Sequence, residues 1–306
     1  MDKTYADTVR LLLSVAPDVF TSEHFAMKGG TAINLFVRDM PRLSVDIDVV
    51  YTSWETPRDE ALRAITDEIR AIDKRLVRRG LGTRVIPAGN EAESKVLIND
   101  GDIQVKVEVN HVFRGTVLPV ERRSIAPQTA DMFVAELVAP ILAVDELYGS
   151  KLVAAFDRQH PRDIFDVWQL YESGGLTDGM VECFVTYLAG HNRPTAHVLS
   201  PRLLDISVAY DTGFVGMTRD PVALDTLLSA RTRVFEELSK RMTERQKAFL
   251  IGLTRAEPDW SLLRCPHASE LPALKWKLIN LRAFKQNKPS VFNEQAEQLE
   301  RLLSGG

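Results

Sequence analysis

The pattern of the chain changes near residue 140, and that change constrains its folding more than any other feature. Before it, short β-prone runs alternate with helical stretches; from Val144 onward almost every segment reads as amphipathic helix. A chain of 306 residues that is 45% hydrophobic and 26% charged can build and cover the cores that two such regions need. The expected architecture is α+β, with a mixed αβ domain over residues 1–140 and a helical domain over residues 141–306.

In the first region HFAMKGG reads as a strand ending in a turn, GTAINLFVRDM as a helix begun at that turn, and VDIDVVYT as the next strand. Thr56 to Arg79 reads as a helix, with Thr56 as its cap, Pro57 in its first turn and Gly80 at its exit. Its apolar residues Leu62, Ile65, Ile69, Ile72 and Leu76 recur at helical spacing, so one face packs on a sheet. TRVIPAG, SKVLIND and IQVKVEVN follow as strands, NDGD turns the chain between the last two, and FVAELV offers another strand.

The VDIDVV strand embeds Asp46 and Asp48 in an apolar run, where a lone buried charge costs several kcal/mol. Residues two apart in a strand point the same way, so these carboxylates share a face with Cα atoms roughly 6 to 7 Å apart. In QVKVEVN, Val105, Val107 and Val109 alternate with Lys106, Glu108 and Asn110. If that strand lies beside VDIDVV, Glu108 becomes a third carboxylate, and three like charges on one face call for a cation. Hard oxygen ligands select Mg²⁺ or Mn²⁺. An exposed edge strand carrying its charges to solvent is the plainer alternative. Upstream, Gly29, Gly30 and Thr31 form a turn that feeds a helix, a place that suits a phosphate. Arg42 and Ser44 lead into the pair, and Ser44 shares its face if the strand begins early enough. A phosphate on Ser44 would set a charge of about -1.5 to -2 beside the acids.

A second block lies in the helical region. Lys151 and Arg158 are two turns apart on one helical face, where both are expected to meet triphosphate oxygens, and Arg162, Asp163 and Asp166 open the next helix. Lysines are commonly solvated, and first-turn aspartates commonly serve the helix dipole. Net charge is -4, so nucleic-acid binding would need local basic patches. DKRLVRRG offers Lys74, Arg75, Arg78 and Arg79; LKWKLINLRAFKQNK offers Lys275, Lys277, Arg282, Lys285 and Lys288, interleaved with Trp276 and Phe284. Phosphate-neutralising side chains with stacking aromatics are what a single-stranded RNA end needs, although a solvated helix face accounts for either patch as well. Cys183 and Cys265 have no metal-site spacing, as expected of reduced thiols in a cytoplasmic protein. No apolar run approaches a membrane span, and the N-terminus has no signal-peptide pattern.

The segments KGGTAINLF, RLSVDIDVVY, VKVEVN and ELYGSKLVAAFDRQHPRDIFDVWQL, with a looser tail of PDWSLL and LKWKLINLRAF, resemble the nucleotidyltransferase toxins of the AbiEii/AbiGii type, including the MenT-like toxins of toxin–antitoxin systems. The resemblance implies a DNA-polymerase-β-like core and transfer of a nucleoside monophosphate from an NTP. It implies a two-metal role for Asp46 and Asp48, with Glu108 completing the site as ligand or base. Polymerase-like relatives often carry aspartate at that third position. In the block K-x6-R-x3-RD-x2-D the family requires a lysine and an aspartate, which maps Lys151 well and leaves Asp163 and Asp166 both open. The implied acceptor is RNA, most commonly the tRNA 3′ end, and the implied partner is a cognate antitoxin. Transfer to a protein or small molecule, and a silent nucleotide-binding module, remain as alternatives.

Overall fold

A computed structural model describes residues 3–87 and 93–304. The chain divides into two compact units, Met1–Leu147 with Met217–Asp220, and Tyr148–Gly216 with Pro221–Gly306. In the first unit β1 (Phe25–Lys28), β2 (Asp46–Tyr51), β3 (Gly82–Ile86), β4 (Glu93–Asp100), β5 (Ile103–Asn110), β6 (Glu121–Ser124) and β7 (Val138–Ile141) form one sheet in the order β3-β4-β5-β2-β1-β7-β6. β2 runs parallel to β5 and β1 parallel to β7, while the other neighbours are antiparallel. This is the mixed sheet of an α+β fold.

Strand alternation gives the sheet two unlike faces. Ile47, Val49, Val96, Ile98, Val105, Val107 and Val109 are buried on one, in mutual register across β2, β4 and β5. Helices α1 (Lys3–Val19) and α3 (Arg58–Arg78) pack against these strands and each other. In α3, Ile65, Ile69, Ile72 and Leu76 are fully buried, each contributing about 1.5–3 kcal/mol of transfer free energy. Pro57 occupies its N-cap position without a side-chain bond, and Thr56 instead donates to Ser53 Oγ (2.8 Å), so the expected threonine cap is not made. Gly80, at φ 83°, ends the helix as expected.

Three local expectations shift. The strand expected over FVAELV lies later, at Val138–Ile141, because α4 (Pro127–Phe133) runs up to it and Val134 turns with φ 49°. β3 closes at Ile86, with Ala88 and Gly89 outside the described residues. β2 opens at Asp46, so Ser44 precedes the strand instead of sharing its alternation.

Between β1 and β2 the chain forms α2 (Gly29–Ala32), widens into a π-helical turn over Ile33–Val37, and reaches Asp46 through an extended segment. Residues from much later in the chain brace that segment. Leu43 N–H donates to Met217 C=O (2.8 Å) and Arg219 N–H to Pro41 C=O (3.0 Å), while Arg42 bridges Thr218.

The second unit is helical: α5 (Val144–Arg158) enters it from the first, followed by α6 (Pro161–Glu172), α7 (Asp178–Ala189), α8 (Thr195–Leu199), α9 (Ser207–Gly213), α10 (Leu224–Arg241), α11 (Glu244–Thr254), α12 (Pro272–Asn287) and α13 (Pro289–Ser304). Ile164, Phe165, Ile206, Phe214 and Leu227 form a core joining α6, α9 and α10. Gly149 lets α5 approach α7 closely, since a methyl group there would lie 2.5 Å from Cys183 Cβ. Both cysteines are free and buried.

Candidate active site

The polar face of the sheet carries the acids. Across four adjacent strands the register sets Lys95, Glu108, Asp48 and Lys28 side by side, and in the next row Asp46 lies beside Lys106. Neighbouring β2 and β5 meet the condition under which Glu108 joins the aspartates on one face. The distances show who holds whom. Lys106 Nζ is 2.5 Å from Glu108 Oε2 and 3.7 Å from Asp46 Oδ2, and Lys95 Nζ is 2.9 Å from Glu108 Oε1. Both oxygens of Glu108 are therefore engaged by ammonium groups. Three lysines match three carboxylates, which answers how the sheet carries such a cluster: the counter-charges come from the protein itself.

Burial pushes the Asp48 carboxyl above the usual carboxylate range, and the neighbouring Asp46 and Glu108 charges add to the rise against the pull of Lys28 and Lys106. Glu108 is only half-buried, and although that burial raises its carboxyl, its bonds to Lys106 and Lys95 outweigh it and hold it below the usual range. Its partner Lys106 is correspondingly raised by Glu108 and the two aspartates, despite its own partial burial.

Two glycines make room beside the acids. Gly29, at φ 77°, lies so close to Asp48 that a methyl group on it would stand 2.7 Å from Oδ2. Such a group on Gly30 would meet Arg42 Nη2 at 2.6 Å and Ser44 Oγ at 2.9 Å. Thr31 Oγ1 donates to the Asp46 carbonyl (2.5 Å) and lies 3.0 Å from Ser44 Oγ. Arg42, buried, donates to Leu43 C=O (2.9 Å). Gly29, Gly30, Thr31 and Ser44 are thus gathered against Asp46 and Asp48.

The second block closes on itself within the helical unit. Lys151 Nζ, on α5, sits 2.8 Å from Asp163 Oδ1 and 2.9 Å from Asp166 Oδ2 on α6, and Arg158 Nη2 is 2.8 Å from Asp163 Oδ2. Lys151, Asp163 and Asp166 are buried; the Arg158 side chain is largely exposed. Burial raises the Asp163 carboxyl, but Lys151 and Arg158 together bring it below its ordinary value.

The basic segments are less free than their composition suggests. On α12, Lys275 pairs with Glu270 (2.5 Å) and Lys285 with Glu257 (2.8 Å). Lys277 donates to the carbonyls of His191 (2.8 Å) and Arg193 (2.9 Å), and burial pulls its ammonium down to about 8. Arg282 and Lys288 are exposed, as are Trp276 and Ile279. In the other segment Arg75 is bound to Asp18 C=O and Glu68, and Arg79 to Asp18 and Ser14 C=O, so both fasten α3 to α1.

Residues 10–280 match the family described as the nucleotidyl transferase AbiEii toxin of type IV toxin–antitoxin systems. The chain belongs to that family. Its fold is shared with MenT4, a nucleotidyltransferase toxin from Mycobacterium tuberculosis H37Rv, at 16% identity and a TM-score of 0.57, over 89% of this chain and 93% of that one. A chain of the E. coli MS115-1 CdnC:HORMA-deltaN complex is 12% identical over 82% of this chain and 87% of its own, with a TM-score of 0.23, too low to compare folds. Among curated proteins no sequence matches. None of the described helices is long and apolar enough to cross a membrane.

For this AbiEii-family toxin the donors on the sheet fit a hard divalent cation in part. Asp46 and Asp48 offer carboxylate oxygens on one face, Gly29 lets the Asp48 carboxylate lie close against the turn, and burial is the main cause of the raised Asp48 carboxyl. Among the described residues no three acidic, histidine or cysteine side chains converge into one ligand set. Glu108, held by two lysines, is the member that stands apart. Sequence reasoning missed Lys28, Lys95 and Lys106. Lys106 was visible in the alternation of VKVEV; Lys28 and Lys95 are recognisable only once the register across four strands is known.

Proposed function

We propose that this toxin transfers a nucleoside monophosphate from an NTP to an RNA acceptor, the 3′ end of tRNA, and so blocks translation in the cytoplasm until its cognate antitoxin intervenes. The observation that carries the reading is the gathering of Asp46 and Asp48 against the Gly29–Gly30–Thr31 turn, a pair of oxygen ligands beside a helix start. Asp46 and Asp48 would hold Mg²⁺ or Mn²⁺, which when bound supplies charge neutralisation for the triphosphate and a lowered pKa for the attacking hydroxyl. Thr31 fixes the backbone of Asp46 by its short bond, and Gly29, lacking a side chain, lets the Asp48 carboxylate lie against the turn. Ser44 and Arg42 line the same turn from the entering segment.

In the helical unit we assign Arg158 to NTP use, its guanidinium anchored by Asp163 and its side chain reaching solvent. Lys151 serves the reaction by holding Asp163 and Asp166 in place. For acceptor docking the support on α12 is the exposed Trp276 and Ile279 with Arg282 and Lys288, a stacking surface with basic groups. Lys275, Lys277 and Lys285 contribute less than their number suggests, because each is engaged within the protein.

The test is incubation with each labelled NTP, Mg²⁺ and total cellular RNA, followed by separation of RNA, protein and small products. Label in tRNA is expected. Label only in protein or a small product overturns the acceptor assignment, and NTP binding without transfer overturns the reaction.

A further inference from the structure

The lysines on the sheet face have a geometry that a merely solvated cluster would not need. Lys106 lies between Glu108 and Asp46, and Lys95 takes the remaining oxygen of Glu108. With Lys28 beside Asp48, positive and negative charges on this face balance without an added ion. A divalent cation approaching Asp46 would meet an ammonium 3.7 Å from one of that residue's oxygens. Like charges so close oppose each other unless one moves. Lys106 is able to move: its side chain is 30% exposed, and a lysine carries its charge on a flexible four-carbon stem.

We propose that Lys106 is the resident counter-ion of the carboxylate face, and that loading a divalent cation onto Asp46 and Asp48 displaces its ammonium from them. The proposal rests on the reading of that pair as the metal ligands. Its consequence is an order of binding. A bare cation must push the ammonium off Asp46 onto Glu108 alone, a carboxylate already shared with Lys95, so it binds weakly. A cation arriving on a triphosphate brings phosphate oxygens that can accept the ammonium, so the metal–nucleotide complex binds well. Lys106 thereby makes the site select the metal–nucleotide pair over free metal, and in the resting protein it keeps Glu108 bound to lysine.

The experiment measures Mn²⁺ binding by electron paramagnetic resonance, with and without a non-hydrolysable NTP analogue, for the wild-type protein and Lys106→Met, Lys106→Arg, Asp46→Asn and Asp48→Asn. Removing the ammonium should tighten binding of bare Mn²⁺ by about tenfold or more and weaken binding of the Mn²⁺–analogue complex several-fold. A purely structural lysine would not produce shifts of opposite sign. Lys106→Arg, which keeps the charge, should behave as wild type, and Lys106→Gln replaces the methionine variant if circular dichroism shows that one unfolded. If the aspartate variants lose Mn²⁺ while neutralising Lys106 leaves bare-metal affinity unchanged or weaker, the counter-ion role is overturned and the metal reading stands. If the aspartate variants bind Mn²⁺ as tightly as wild type, the metal reading falls and the proposal falls with it.

Discussion

Two clusters in this protein are built from the same parts, a lysine set between carboxylates, and they differ in what surrounds them. Lys151 meets Asp163 and Asp166 at 2.8 and 2.9 Å with the lysine side chain only 7% exposed. Lys106 meets Glu108 and Asp46 on a sheet face where Asp46 is 49% exposed. Withdrawing the buried ammonium leaves two acids in a medium that cannot solvate them, so that pairing is fixed. On the sheet, water can replace what a departing lysine leaves, so that pairing can be exchanged. Identical chemistry serves as a rivet in one place and as a removable counterweight in the other.

The comparison is tested most severely by activity. Asp46→Asn or Asp48→Asn should lower nucleotide transfer at least about 100-fold while thermal unfolding stays near wild type, since the ligand is lost and the packing kept. Normal turnover at saturating Mg²⁺ would remove the sheet face from the reaction. Next in size is stability. Lys151→Ala should cost about 3–5 kcal/mol in urea unfolding, because it leaves buried charge uncompensated. Lys106→Ala should cost about 0–1 kcal/mol, as partly exposed pairs do. Equal losses would erase the distinction between the clusters.

A smaller effect separates the clusters by pH. Asp163 is held below its ordinary value, so its contribution is present above the unfolded carboxyl value of about 3.9 and drains away as pH falls through the folded one. Asp163→Asn should therefore weaken the protein at neutral pH and flatten the acid limb of its stability curve, measured by chemical denaturation from pH 7 downward. An unchanged acid limb would mean that Lys151 and Arg158 do not govern this carboxylate. The smallest effect belongs to α12, whose exposed basic groups offer a third environment. Arg282→Gln with Lys288→Gln should reduce the slope of log RNA affinity against log salt by about 0.7 per lost contact. The same change at Lys277 should instead loosen the fold, because its ammonium is spent on two backbone carbonyls.

The sequence made the α+β class legible because the switch from alternation to helical spacing is local. It also placed Asp46, Asp48 and Glu108 on two strands with one parity, since VDIDVV and VKVEVN are both strong strands, while their adjacency stayed a condition that only the β2–β5 pairing meets. The lysine framework was not legible in the same way. Lys28 and Lys95 meet the acids through pairings among four strands, and register is a property of the assembled sheet. For a similar reason α12 looked more basic than it is. The acids that hold its lysines, Glu257 and Glu270, lie outside the segment. β6 went unseen because ERRS is four residues long with no apolar alternation, and Ser44 left the strand because pairing begins only at Asp46.

The brace formed by residues 217–220 sets a schedule. Every strand of the sheet, with Asp46, Asp48 and Glu108, has been synthesised once the ribosome passes residue 147, but Pro41 and Leu43 then still lack the backbone partners supplied by Arg219 and Met217. The segment that delivers the chain to Asp46 is fastened only after residue 220 has emerged. A frameshift between those points would release a polypeptide that holds all the proposed ligands on an untethered approach. For a toxin of this family, this ordering withholds the finished arrangement until most of the chain exists.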